Sequence, residues 1–315
     1  MGLAKIIMPP KISVVIPTYN NAALLSETLD GVYRQTFQDV EVIVVDDGST
    51  DDTAAKVRNY GRSIRYIAQP NQGPAAARNK GVSLAQGEFI AFCDHDDIWY
   101  ERHLESLVGC FRDHPSAAMC FDDAEAYGDG ITQGATHIDK KVLRSMIGRR
   151  VPIIRVWHCW VASMSVVMVR KSVFDKLGGL HPGIWGLDDL HFYLRLGAEH
   201  EVRFVDYIGC KKRVGANNLL SRTALPGLMR CLEDLKENHP DVARAVGRRK
   251  LRLRLARCYR KTGEAHLKKG HGELAREMFL RAYKENHFNL HDLWSYLVRA
   301  RPRNSSSATE IDLRD

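Results

Sequence analysis

Over roughly the first 120 residues, apolar runs alternate with segments whose apolar positions recur at helical spacing. Ser13-Val14-Val15-Ile16 is a run rich in β-branched residues and reads as a buried strand. Leu25, Leu29, Val32 and Tyr33 follow at i, i+4, i+7 and i+8, one face of a helix. Residues 40–45 form a second apolar run, and Ser49-Thr50-Asp51-Asp52-Thr53 then supplies caps and first-turn acids for a second helix. A third strand is expected over 64–67. Gly73-Pro74 opens a third helix, with proline where its missing N–H costs least, and 89–93 is a fourth strand. Strand–helix repetition of this kind predicts a mostly parallel sheet flanked by helices.

Past residue 122 the pattern weakens. Residues 124–150 are polar and glycine-containing and read as loop or loosely packed helix. A strand is expected over 161–169, a short helix over 171–177 stopped by Gly178-Gly179, a helix over 187–197 opened by Asp188-Asp189, and a strand over 202–208. From about residue 225 only helical patterns remain, and 303–315 reads as a disordered tail. The expected organisation is a region 1–222, with halves 12–121 and 122–222, then a basic helical region 223–302 and the tail.

Composition narrows the class. The 315 residues are 44% hydrophobic with a net charge of +8, which excludes disorder for most of the chain. No apolar run approaches the ~20 residues that span a bilayer. The N-terminal apolar stretch is short and lacks a small-residue cleavage site, so a cytoplasmic protein is expected. The seven cysteines are scattered without a C-x-x-C pair, which fits reduced thiols rather than zinc or redox chemistry. The charge is uneven: residues 223–300 hold 17 Lys+Arg against 9 Asp+Glu, and the rest of the chain balances. A basic helical surface can be merely solvated or can face anionic lipid; residues 244–261 are the candidate for peripheral contact with the inner face of the plasma membrane. No nucleic-acid motif accompanies the charge.

Sheets of the predicted type bind ligands beyond the carboxyl ends of their strands. Three of those ends carry polar clusters: Pro17-Thr18-Tyr19-Asn20, Asp46-Asp47-Gly48-Ser49 and Asp94-His95-Asp96-Asp97. For Asp51-Asp52 a helix cap suffices; three clusters on one sheet edge point to a site.

In order and spacing, these clusters together with Gln72-Gly73-Pro74-Ala75-Ala76-Ala77-Arg78-Asn79 resemble the family 2 glycosyltransferases, over residues 12 to about 222. The resemblance implies the A-type glycosyltransferase fold and an inverting transfer of a sugar from a nucleotide-diphospho-sugar, with UDP the expected nucleotide. The acceptor would be a hydroxyl of a glycan, a lipid-linked glycan or a protein. It implies donor contacts at Pro17, Thr18, Tyr19, Asp46, Asp47, Gly73, Arg78, Asp94, His95 and Asp96. Asp94-His95-Asp96 stands at the D-x-D signature, so Mn2+ or Mg2+ is implied, with Asp96 the direct ligand and Asp94 a ribose or outer contact. A hard divalent ion on few carboxylates suits a diphosphate leaving group. His95 would face away if the strand continued. Asp188-Asp189 resembles the acidic pair at the acceptor side, with Asp189 the general base, and Trp185 fits a sugar-contacting loop.

Two features depart from the family pattern. The first acid of the pair is Asp188 where glutamate is usual. The segment Cys210-Lys211-Lys212-Arg213 lacks the histidine of a Tyr-Arg-x-His loop, so Lys211, Lys212 or Arg213 would meet the diphosphate instead. Residues 256–283 resemble one tetratricopeptide-like helix pair, and the alternating Arg252 and Arg254 are expected to face outward. A non-catalytic scaffold acting through these helices, and a sugar nucleotidyltransferase, are the competing readings; the second lacks the Gly-rich, Lys-containing loop after the first strand.

Overall fold

The computed structural model describes residues 11–128, 136, 140–159, 161–215, 219–287, 289 and 294–296. The predicted tail 303–315 lies outside them. The first half runs β1 (Ile12–Thr18), α1 (Ala22–Tyr33), β2 (Val40–Asp46), α2 (Thr53–Arg58), β3 (Arg65–Ala68), α3 (Pro74–Leu84) and β4 (Phe89–Phe92). These are the elements the apolar pattern predicts, within a residue or two. Every residue of β1 is buried, and Leu25, Leu29 and Val32 form the buried stripe of α1.

In the second half come β5 (Ile98–Trp99), α4 (His103–Asp113), β6 (Ala117–Tyr127), α5 (Lys140–Arg144), α6 (Ile153–Cys159), a 3-10 turn (Met164–Val166), β7 (Val167–Arg170), α7 (Lys171–Lys176), α8 (Asp188–Glu199) and β8 (Glu201–Arg213). The eight strands form one sheet in the order β3-β2-β1-β4-β7-β6-β8-β5. β3, β2, β1 and β4 are mutually parallel, β6 and β8 run parallel to each other, and only β7 and β5 oppose their neighbours. This is the mostly parallel, helix-flanked architecture that the sequence implies. Thr18 pairs with Asp46 and Asp46 with Ala68, so the carboxyl ends of these strands share one edge.

Three expectations are corrected. Residues 117–127 form strand β6, where the sequence reads as fading signal and then loop. Asp122 and Asp123 interrupt its apolar pattern, but Asp122 is paired internally and the pairing with β8 shifts register around Asp123. Residues 161–166 do not begin a strand, because the Ser163 hydroxyl accepts the Ser165 N–H (3.1 Å) and caps the 3-10 turn first. The basic segment 210–213 is the end of β8 rather than a loop, held by Ile98↔Lys211 and Trp99↔Cys210.

The C-terminal helices are α9 (Leu219–Asn238), α10 (Pro240–Val246), α11 (Arg248–Lys268) and α12 (Gly272–Glu285). α11 packs on α9, α10 on α6 and α8, and α11 and α12 form a helix pair in which Gly263 admits the Phe279 ring. Leu251 and Leu255 are buried, as their shared helical face predicts. Arg252 and Arg254 do not simply face outward. Arg252 Nε donates to Glu285 Oε2 (3.0 Å), and Arg254 donates to the Trp157 carbonyl (3.2 Å) with its guanidinium 4.4 Å from that ring's centroid. Six cysteines are free thiols, all buried except the half-buried Cys110.

Under β5 and β8 lies a fully buried ion pair, His103 Nδ1 to Asp122 Oδ2 at 2.7 Å. Burial raises the Asp122 carboxyl to about 6 against the pull of His103. Gly209 provides the room: a Cβ there would fall 2.0 Å from Asp122 Oδ2 and 2.2 Å from His103 Nδ1. Gly209→Ala must therefore split the pair or move β8, and a loss of about 3 kcal/mol in urea unfolding is expected; stability within about 1 kcal/mol of wild type would show that the packing yields there.

Candidate active site

The polar strand ends meet at the carboxyl edge of β1–β4. At the second strand end both acids are buried and spent on bracing. Asp46 accepts the Ser49 N–H (2.8 Å) and the Tyr66 hydroxyl (2.5 Å). Asp47 accepts Gln69 Nε2 (2.7 Å), the Gln72 N–H (3.0 Å) and the Gly73 N–H (2.7 Å). This pins the β3–α3 loop beneath the edge. Gly73 has φ +88°, and a Cβ on it would meet the Trp185 ring at 3.2 Å, so glycine is required by conformation and by contact. Trp185 thus reaches from the segment before α8 to the start of α3, with 43% of its surface open.

At the first strand end Thr18 is buried and Tyr19 is exposed, while Pro17 sits within β1 opposite Val45. β4 ends at Phe92, so 94–97 is a turn and His95 does not follow strand alternation. Its Nδ1 lies 3.3 Å from both the Tyr19 N–H and the Thr18 Oγ1. An acceptor at Nδ1 leaves the ring proton on Nε2. Burial lowers the His95 pKa, so the ring is neutral near pH 7.

Arg78 is the centre of the arrangement. From α3 its Nη2 donates to Asp94 Oδ1 at 2.6 Å and its Nη1 to Asp188 Oδ2 at 3.2 Å, with only 9% of the side chain exposed. The guanidinium therefore joins α3, the end of β4 and the start of α8. As a bare helical arginine it would be read as solvent-exposed; the sequence resemblance puts it near base and phosphates, and here two carboxylates occupy it. Burial disfavours its charge, but Asp94 and Asp188 more than compensate and raise its pKa. Burial would likewise raise Asp94, yet Arg78 overrides this and holds that carboxyl below the ordinary range.

The other acids are held less firmly. Burial, reinforced by Asp94, raises Asp96, whose carboxylate forms no ion pair with a described residue. Asp188 is lifted to about 7 by burial despite Arg78, and Asp189 is also raised by burial. Asp189 is half-buried and one of its oxygens accepts the Leu190 N–H (2.6 Å), leaving the other available.

Sequence reasoning missed Asp97, which organises the turn. It is buried, accepts the Ser165 hydroxyl (2.6 Å) and the Arg213 N–H (3.0 Å), and is lifted to about 8 by burial and by Asp94 and Asp96. Ser165 in turn accepts the Asp94 N–H (2.9 Å). The available signal was two serines, 163 and 165, inside an otherwise apolar run. The basic triplet divides by strand alternation. Lys211 lies over the Tyr100 ring and Arg213 pairs with Glu27 (3.2 Å). Lys212 donates to the Ala162 carbonyl and its charge pulls Asp94, Asp97 and Asp189 downward, while Arg213 donates its Nε to the Asp96 carbonyl (3.4 Å) and its charge pulls the Asp96 carboxyl downward.

The sequence profile described as "Glycosyl transferase family 2" matches residues 13–178, more than half of the chain. The chain belongs to glycosyl transferase family 2. An uncharacterized glycosyltransferase of Nostoc is 41% identical over 184 residues, covering 56% of this chain and 55% of the relative. The GalNAc(5)-diNAcBac-PP-undecaprenol beta-1,3-glucosyltransferase of Campylobacter jejuni is 42% identical over 104 residues, 31% of this chain and 34% of that one. The chain thus spans about half or less of the length of these curated relatives. Among solved structures, S. aureus TarS 1-349 in complex with UDP superposes with a TM-score of 0.60 at 18% identity, over 92% of this chain and 82% of that one. The mannosyltransferase PcManGT from Pyrobaculum calidifontis, in complex with GDP-Man and Mn2+, gives 0.61 at 20% identity, over 93% and 86%. At these identities the A-type fold is what is shared.

The Arg78 junction makes a testable claim on stability. Arg78→Met leaves Asp94 and Asp188 buried as unpaired like charges, so a loss of about 3 kcal/mol is expected at pH 8. Without the guanidinium the folded-state pKa of Asp94 rises above its unfolded value, and that of Asp188, already about 7, rises further. The variant's deficit is then smallest where both acids are protonated and grows as pH climbs through those raised values. Urea unfolding at pH 5 and pH 8 checks it; a deficit independent of pH would show that the junction is not electrostatic.

Proposed function

We propose that this family 2 member is an inverting glycosyltransferase that moves a sugar from a nucleotide-diphospho-sugar, UDP-linked, to a hydroxyl acceptor. The observation that carries the reading is one sheet edge holding a braced nucleotide-side loop (Asp47, Gly73), an acid without an ion pair among the described residues (Asp96) and a half-buried acid at a helix start (Asp189), with Arg78 bridging their neighbours Asp94 and Asp188.

Thr18, Tyr19 and the Asp47-braced loop frame the nucleoside, with Pro17 and Asp46 holding the strand ends in line. His95 can offer its Nε2–H to the donor. Because Asp94 Oδ1 is taken by Arg78, Asp94 is an outer contact and Asp96 the carboxylate left for a divalent ion. The donor set fits Mn2+ or Mg2+: one free carboxylate oxygen ligand, with phosphate oxygens and water completing the shell. When bound, the ion neutralises charge on the diphosphate leaving group. Lys212 can add to that neutralisation, and so can Arg213, whose Nε reaches the Asp96 carbonyl; Lys211 is engaged over the Tyr100 ring. The solved neighbours bound to UDP, UDP-GlcNAc and GDP-Man with Mn2+ support a nucleotide-sugar donor and a metal, and leave the nucleotide to experiment.

Asp189 takes the acceptor's proton during in-line attack, on the side away from the leaving diphosphate. Its N-terminal position on α8 favours the ionised form, while burial raises its pKa toward a more effective base. Asp188, held by Arg78, orients the pair. Trp185 offers an aromatic face to sugar C–H surfaces. The acceptor is a glycan, lipid-linked or protein hydroxyl, and the activity of the Campylobacter relative supports the lipid-linked class. The catalytic region is 1–222, with the C-terminal helices, read as one tetratricopeptide-like pair plus its supports, acting as a brace. Among the described residues no helix is long and apolar enough to cross a membrane. Exposed Arg244, Arg248, Arg249, Lys250, Arg257 and Lys261 on α10 and α11 support peripheral contact with anionic lipid.

Asp189→Asn is expected to lower transfer by about 10³-fold while leaving nucleotide affinity unchanged. Wild-type transfer also falls as pH drops through the raised Asp189 pKa, because the base must be ionised. Turnover near wild type in the variant would move the base to Asp188. Calorimetric titration of UDP, with GDP and dTDP as controls and with and without Mn2+, should show metal-dependent UDP binding that Asp96→Ala weakens. Binding that ignores metal would shift the diphosphate to Lys212, and no binding of any nucleotide would favour the scaffold reading.

A further inference from the structure

On α8, His191 meets the C-terminal helices. Its Nε2 lies 2.6 Å from Asp234 Oδ2 on α9, and His239 Nε2, at the start of α10, lies 3.2 Å from that same oxygen. The three ligand-type atoms all fall within 4.8 Å of one another, and among the described residues no other group of three or more His, Cys, Asp or Glu converges in this way. The D-x-D acids do not.

We propose that His191, Asp234 and His239 form a binding site for a transition-metal ion of the Zn2+ class, separate from the donor site.

The donor chemistry selects the ion. Two imidazole nitrogens and one carboxylate oxygen suit Zn2+ and its neighbours rather than the oxygen-seeking Mg2+ or Ca2+. Ligand atoms about 2.0–2.1 Å from a tetrahedral zinc stand roughly 3.3 Å apart. The His239–Asp234 spacing already meets this, and His191 has to draw back by roughly 0.7 Å. Three protein ligands leave a fourth position for water. The carboxylate is also held from outside: Asn238 Nδ2 donates to Asp234 Oδ1 at 2.8 Å, which turns Oδ2 toward the two imidazoles. Arg195, the nearest competing cation, has its guanidinium drawn off to the Leu177 and Gly179 carbonyls.

One feature limits affinity. His191 Nδ1 is buried with no hydrogen-bond partner. With metal on Nε2 the ring proton must sit on that nitrogen, unpaired, so the site binds in the micromolar range rather than as a closed structural zinc site. Its position gives it a consequence. His191 is two residues beyond Asp189 on α8, while Asp234 and His239 flank the α9–α10 junction. An ion there would tie the helix carrying the acidic pair to the C-terminal brace and raise the resistance of both to unfolding.

The test uses the full chain freed of metal by a chelator. Zn2+ is titrated by calorimetry, Co2+ is followed by its visible absorption, and thermal melts are recorded with and without Zn2+, all in the absence of nucleotide. One Zn2+ per chain with a Kd on the order of 10 μM is expected, together with a higher Tm and a tetrahedral-type Co2+ spectrum. His239 is 29% exposed, so His239→Ala should fold; it and Asp234→Asn should weaken Zn2+ at least about tenfold, while Asp96→Ala keeps it. The proposal fails if Zn2+ does not bind below about 1 mM, if binding survives unchanged in His239→Ala and Asp234→Asn, or if it is lost in Asp96→Ala.

Discussion

One buried positive charge organises this molecule's chemistry. Arg78 sits in a dry cleft among carboxylates that burial alone would keep neutral, and its two terminal nitrogens divide between Asp94 and Asp188. The contact is structural, because it fastens three elements that the chain supplies far apart. It is also electrostatic: the nearer carboxylate, Asp94, stays ionised, while Asp188 is still lifted to about 7 by burial. Asp94, at 2.6 Å, is held below the ordinary range, whereas Asp96 and Asp97, beyond reach of the guanidinium, are pushed above it. Buried arginine suits the task since it stays charged and offers a planar fork to two partners.

What was legible in the sequence follows the same division between self-sufficient and borrowed stability. β1 and β2 are rich in β-branched residues and β4 is wholly apolar, and all three declare themselves by composition. β6 and the far end of β8 do not, because their polar residues are satisfied by partners distant in sequence: Asp122 by His103, and Asp97 on the neighbouring turn by the Arg213 N–H. No local pattern announces such pairings. The acid clusters were legible because carboxylates at three strand ends exceed what capping needs. Arg78 reads as an ordinary surface residue until the fold closes over it, and Asp97 reads as one more acid in a run. The split of Lys211, Lys212 and Arg213 was hidden for a simpler reason. Taken as loop, they have no fixed sides; as strand, Lys211 and Arg213 share one side and Lys212 takes the other.

The C-terminal helices extend the catalytic core rather than stand apart from it. Arg252 and Arg254, which alternate with leucines like solvent-facing charges, reach Glu285 and the Trp157 ring. Long arginine stems can cover apolar surface while their heads find a carbonyl or a ring. The excess charge of the segment is thus partly spent on packing, and the exposed remainder on α10 and α11 is what an outside anion would meet.

Asp188 and Asp189 show how two adjacent identical residues acquire different chemistry. Consecutive positions at a helix start point about 100° apart. That rotation sends Asp188 inward to Arg78 and leaves Asp189 half-buried, with one oxygen on the Leu190 N–H. Asp188 is therefore committed by geometry: releasing it would strand both its own charge and the guanidinium in a low-dielectric interior. Asp189 carries no such commitment, and in the proposed transfer it exchanges its partner for a substrate hydroxyl at small cost. The shortened first acid of the pair fits this division. A side chain that only has to hold Arg78 across a dry gap can be an aspartate, provided the arginine supplies the reach. Its neighbour needs only the freedom and the raised proton affinity that partial burial confers.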